Sequence, residues 1–141
     1  MKTILALRGA GNRGKSTTLC LLIGLIRKSY PNAIFEETRY KIDITIVITI
    51  DKTRVGIETQ GDPNSRLQVS LQRFIKVKCK VVICACRSSG RTVEIVREAA
   101  NDGYQIKWFD KGQTQDLNEQ AAANLRTAKE LFAVFKQAID A

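Results

Sequence analysis

A chain of 141 residues suits one domain with one core, and its 44% of hydrophobic residues excludes a disordered composition. The longest apolar stretches, 42–50 and 81–86, are too short to span a bilayer, and no signal-peptide pattern precedes the first strand, so a cytoplasmic location is expected. Twenty-three basic against 14 acidic residues give a net charge of +9, which favours polyanionic partners, nucleic acid among them, although no basic run is dense and no aromatic residues interleave for base stacking.

Thr3 to Arg8 is a short apolar run of strand length. The segment Gly9-Ala10-Gly11-Asn12-Arg13-Gly14-Lys15-Ser16 follows it and fits G-x-x-x-x-G-K-[ST]. Leu19, Leu21, Leu22, Leu25 and Ile26 then recur at helical spacing as far as Arg27 and Lys28, and Pro31 prevents continuation. Residues 41–50 alternate polar and β-branched types, which predicts a strand. Asp51-Lys52-Thr53 reads as a tight turn into a second, antiparallel strand over 54–58. Asp62 and Pro63 are expected to open a helix as N-cap and first residue, with Leu67, Leu71, Phe74 and Ile75 as its apolar face.

The continuous apolar run Val81-Val82-Ile83-Cys84-Ala85-Cys86 predicts a strand buried on both faces. A loop from Arg87 to Gly90 leads to a helix over 92–100, closed by Asn101-Asp102-Gly103. Residues 104–109 form the last predicted strand. Asp116 caps a long final helix whose stripe is Leu117, Ala121, Leu125, Ala128, Phe132, Phe135 and Ile139. This order predicts a single α/β domain over residues 1–141: a mostly parallel sheet between two helical layers, with one antiparallel edge strand from the hairpin. Ligands of such sheets bind at the carboxyl ends of the strands, where the loops 59–63, 87–92 and 111–116 converge on the glycine-rich segment.

That segment is built to hold phosphate. Its glycines let successive backbone N–H groups turn inward, Lys15 adds a positive charge, Ser16 offers a hydroxyl for Mg²⁺, and the following helix presents its positive end. Arg13 lies inside the loop. Arg87 and Arg91 stand at the ligand edge, where guanidinium groups suit phosphate and transition-state charge. Asp62 has the chemistry to orient an attacking water, and Thr38 stands just before the hairpin. The chain has no histidine, so proton transfer falls to a carboxylate, a water or the substrate phosphate. Cys20, Cys79, Cys84 and Cys86 match no zinc or redox spacing and are expected in the core.

Gly9, Gly11, Asn12, Gly14, Lys15, Ser16 and Thr17, together with the element order, resemble the P-loop NTPase superfamily across essentially the whole chain, in the form common among translation-factor-class GTPases. Glu58-Thr59-Gln60-Gly61 is similar to their D-x-x-G switch, with Glu in place of Asp. The resemblance implies a three-layer P-loop fold, a cation held through Glu58 by way of water, and a γ-phosphate sensed by the Gly61 N–H. The guanine-reading N-K-x-D has no counterpart, since Cys86-Arg87-Ser88-Ser89 stands in its place; ATP is therefore the default nucleotide and GTP the alternative. The chain also looks like small bacterial P-loop ATP-binding proteins with a similar Gly-Asp after the hairpin and Ala-Cys-Arg after the next strand. Asp51 and Glu58 compete for the acid beside the cation, and Glu58 is favoured because its strand is expected to neighbour the P-loop strand. Slow Mg²⁺-dependent hydrolysis of ATP is the leading expectation, with a small-molecule kinase and a non-catalytic nucleotide sensor or nucleic-acid adaptor as alternatives.

Overall fold

Residues 1–10, 14–111 and 116–141 are described by a computed structural model. Within them the elements run β1 (Lys2–Arg8), α1 (Lys15–Ser29), β2 (Ile34–Tyr40), β3 (Asp43–Ile50), β4 (Thr53–Glu58), α2 (Leu67–Lys76), β5 (Val81–Cys86), α3 (Arg91–Ala100), β6 (Tyr104–Asp110) and α4 (Leu117–Asp140). The strands form one sheet in the order β2-β3-β4-β5-β1-β6. Strands β4, β5, β1 and β6 are parallel to one another, while β3 runs antiparallel to both of its neighbours.

Alternation along the strands divides the core. Leu5 and Leu7 of β1, with Ile57, Ile83 and Ala85, face α1 and α4, where they meet Leu19, Leu22, Leu131 and Phe135. Ile4 and Ala6, with Val82, Cys84 and Cys86, face α2 and α3, where they meet Leu71, Phe74, Val93 and Val96. Strand β5 is buried on both faces along its whole length, as its unbroken apolar run requires. The molecule is therefore an α/β domain with a helical layer on each side of a mostly parallel sheet. No helix of the described residues is long and apolar enough to cross a membrane.

Four expectations are corrected. First, residues 34–40 form a strand that the sequence reading did not find. Strand β2 is the sheet's outer edge and is exposed along nearly all its length, so it carries no apolar alternation; charged side chains are how exposed edges avoid pairing with other chains. The hairpin strand β3 is consequently internal, not the edge. Second, β4 does not neighbour β1, because β5 lies between them. Third, α2 begins at Leu67, not at Pro63; its N-cap is Arg66, without a side-chain cap bond, and Asp62 is instead held by Arg87. Fourth, the stripe of α4 is shifted. Asp116 caps the helix as expected, accepting from the Asn118 and Glu119 N–H groups, but Leu117 and Leu125 are exposed and the buried positions are Asn124, Ala128, Leu131, Phe135 and Ala138.

Phe74 carries much of the α2 contact. Its fully buried ring lies against Gly56, where an added Cβ would fall 2.4 Å from Cγ of the ring. Phe74→Ala is expected to cost about 3–5 kcal/mol in urea unfolding, through lost apolar burial and the cavity left behind; a loss under about 1 kcal/mol would show that the layer does not depend on this ring.

Candidate nucleotide site at the carboxyl edge of the sheet

Strand β1 ends at Arg8, and α1 starts at Lys15 behind Gly14, which sits in the left-handed region at φ 77°. That conformation favours glycine. Space demands it as well, because a Cβ on Gly14 would lie 2.7 Å from Oδ1 of Asn124 on α4. Asn124 was not singled out from the sequence, being one polar residue in a helix. It is buried, and its Oδ1 has no hydrogen-bond partner among the described residues. Gly11, Asn12 and Arg13 lie outside the described residues.

Lys15 is buried, and its ammonium donates to the carbonyl oxygens of Gly9 at 2.6 Å and Cys86 at 2.9 Å. It thus stands where β1 and β5 end side by side. Burial pushes its pKa below the ordinary lysine range; nearby Asp62 opposes this shift and Arg87 adds to it. Arg87 and Asp62 form an ion pair at 2.9 Å, both partly exposed. The backbone N–H of Arg87 donates to Oγ1 of Thr92 at 2.9 Å, which shapes the turn after β5.

Ser16 is the second residue of α1. Its Oγ lies 2.9 Å from Oδ1 of Asp43 and 3.2 Å from the Thr59 carbonyl. The Thr59 hydroxyl also donates to Oδ1 of Asp43 at 2.9 Å, and accepts from the Ile44 N–H. Asp43, at the first position of β3, was likewise not singled out from the sequence. There it reads as one polar position in an alternating strand, and only the hairpin geometry brings it to α1. A cavity of about 250 Å³ lies between Gly14–Thr17, the Ile42–Asp43 corner and the loop Thr59–Asp62. Gly61 is buried against β5; a Cβ there would fall 2.4 Å from the Ala85 carbonyl carbon, so the loop after β4 can press on β5 only with glycine at this position.

Glu58 is not brought to this cavity. It is fully buried, and its side chain points to the α2 side. Oε1 accepts from the hydroxyls of Thr45 at 2.5 Å and Ser70 at 2.6 Å, and Oε2 from the Gln60 N–H at 2.9 Å and the Arg66 guanidinium at 3.3 Å. Arg66 also lies over the Tyr40 ring at 3.4 Å. The expectation that Glu58 holds the cation rested on β4 neighbouring β1, which it does not; the residue clamps β3, α2 and the start of the Thr59–Asp62 loop. Arg91 is drawn along α3 by Glu98 at 3.0 Å and Glu94 at 3.5 Å, and does not line the cavity. Thr38 lies within β2 opposite Thr45, also away from it. Thr17 lines it and is exposed.

Cys79, Cys84 and Cys86 lie in the core, while Cys20 on α1 is half-buried and its thiol is also pushed up by burial. All four are free, and burial pushes Cys79 and Cys86 up to about 11 and Cys84 higher than its ordinary value, so none is a ready nucleophile. Among the described residues no group of three or more His, Cys, Asp or Glu gathers at one point.

No protein-family model, curated protein or solved structure matches this chain.

Glu58→Gln replaces a buried four-bond acceptor by an amide whose NH₂ the Thr45 and Ser70 hydroxyls must turn to accept, and it leaves the Arg66 guanidinium without its carboxylate. An unsatisfied buried polar group costs about 1–3 kcal/mol, so chemical denaturation should show a loss of that size. Wild-type stability in this variant would show that the clamp contributes little.

Proposed function

We propose that this chain is a P-loop protein that binds a nucleoside triphosphate, by default ATP, with its phosphates at the start of α1, and hydrolyses it slowly with Mg²⁺. The observation that carries the reading is Lys15. The residue of the motif that would meet phosphate stands behind a left-handed glycine at a helix N-terminus, at the strand ends, beside an open cavity. Helix N-terminal N–H groups and the helix dipole favour an anion there. Gly9, whose carbonyl accepts from Lys15, and Gly14 shape the two ends of the loop.

The electrostatics of the site support an anionic ligand. Lys15 and Arg87 repel each other, and Asp62, paired with Arg87, is the acid that offsets both charges. A phosphate group entering beside Lys15 takes over that role and competes with Asp62 for Arg87. Arg87 is then free to stabilise charge that develops on the transferred phosphoryl group. Asp62, released from the pair, is exposed enough to orient a water. Gly61 holds the loop against β5 at the cavity wall, where its N–H would meet the terminal phosphate.

Magnesium fits the donors present. The hydroxyl of Ser16 and the oxygens of Thr59 are hard ligands of the type Mg²⁺ takes, and this ion needs few protein ligands because it keeps waters and substrate phosphate oxygens. When bound, it neutralises charge on the β- and γ-phosphates. GTP is the alternative nucleotide, and transfer of the γ-phosphate to a small acceptor is the alternative reaction, separated from hydrolysis by product assays with candidate acceptors.

One observation favours an additional polyanionic partner. Arg54, Arg73, Lys76 and Lys78 are exposed around the junction of α2 and β5, and Arg54 and Arg73 both lie near Cys79. None of these four joins an ion pair among the described residues. If nucleic acid binds there, its affinity should fall steeply between low and physiological salt; salt-independent binding, or none, removes this partner.

Lys15→Ala tests the central reading. Charge-assisted hydrogen bonds are worth roughly 1.5–3 kcal/mol, so calorimetry with Mg·ATP should show affinity falling about tenfold or more. Equal binding by wild type and variant would overturn the assignment.

A further inference from the structure

We propose that Asp43, not Glu58, is the acid that serves the nucleotide's divalent cation, held in an oxygen cluster with Ser16 and Thr59; this presupposes that a nucleotide binds beside Lys15. Three observations carry it. Asp43 lines the cavity while Glu58 does not. Oδ1 of Asp43 accepts from both the Ser16 and the Thr59 hydroxyls, each at 2.9 Å, and Oδ2 has no hydrogen bond among the described residues. Glu58 has both oxygens engaged, each by two donors, on the α2 side of the sheet.

The face of the sheet decides which acid is available. The chain leaving β4 does reach α1, since the Thr59 carbonyl lies 3.2 Å from Ser16 Oγ, but the Glu58 side chain one residue earlier is turned to the α2 side. Strand β3 runs the other way, so its first residue arrives at the edge where the parallel strands finish; Thr45 of β3 stands opposite Glu58, the last residue of β4. The turn between β2 and β3 therefore delivers Asp43 to the N-terminal turn of α1. The hydroxyl chemistry agrees. A Ser16 hydroxyl whose proton points at Asp43 has lone pairs left for a cation, and a carboxylate that fixes a ligand in this way raises its affinity for metal. Thr59, bonded to Asp43 by its side chain and bearing the carbonyl near Ser16, joins the same cluster to the loop that carries Gly61 and Asp62.

The test is ATP affinity by calorimetry, with and without Mg²⁺, for wild type, Asp43→Asn and Glu58→Gln, each checked for folding by thermal melting. Asp43→Asn should lose roughly 10- to 100-fold of the affinity that Mg²⁺ adds. Its metal-free ATP affinity should hold or tighten, because a negative charge near the phosphates is gone. Glu58→Gln, where folded, should keep the Mg²⁺ gain. The split between the two affinities is the readout that a purely structural role would not move, because a damaged site would lose ATP with and without Mg²⁺ alike. If Asp43→Asn keeps the wild-type Mg²⁺ gain, or loses metal-free and Mg²⁺-dependent binding in equal measure, Asp43 is not the acid, although the nucleotide reading stands. If wild type binds no ATP, both fall together.

Discussion

The Lys15 ammonium donates to the carbonyl oxygens of Gly9 and Cys86, and in doing so ties the start of α1 to the ends of β1 and β5. A buried ammonium without partners is costly, so the two strand ends and the helix start must arrive together. Their meeting depends on the parallel pairing of β1 with β5, in register from Thr3 opposite Val81 to Arg8 opposite Cys86. Against that corner the loop after β4 passes over Ala85, and Gly61 is the residue that lets it come close. The cavity beside Lys15 is what remains between these three segments and the β2–β3 turn.

Two acids divide the work on either side of that loop. Glu58 is held inside the molecule by four donors and shapes the chain leaving β4. Asp43 meets hydroxyls at the cavity wall. Both depend on the same antiparallel ladder, since the residues that oppose Glu58 and precede Thr45 are fixed by one register. A shift of that register by one residue would exchange the sheet faces and remove the clamp and the wall acid together. The hairpin is thus coupled to the site through geometry, and its outer strand β2 is tied to α1 by Arg27 and Glu37 at 2.6 Å.

Charge follows the same division. At the carboxyl edge, Lys15 is buried against carbonyls and Arg87 is balanced by Asp62. Near the opposite ends of β4 and β5, Arg54, Arg73, Lys76 and Lys78 project without ion-pair partners among the described residues. The net charge of +9 is therefore not concentrated at the cavity, whose lining carries Lys15 together with Asp43 and Asp62.

Local chemistry was legible in the sequence. The apolar run of β5, the helix that opens at Lys15 and the Asp116 cap follow from nearest-neighbour patterns and backbone propensity, which act over a few residues, and of the side chains picked out locally Lys15, Ser16 and Asp62 line one cavity. Tertiary structure decided what lies at long range. It placed β5 between β1 and β4, made an exposed strand of residues 34–40, turned Glu58 inward, moved the buried face of α4 to Asn124, and brought Asp43 to Ser16, 27 positions away in the chain. The reason is physical: periodicity states which faces are apolar, but strand order and register arise from pairings whose partners are distant in sequence, and a carboxylate has the same local signature whether it ends as a clamp in the core or as a wall of the cavity.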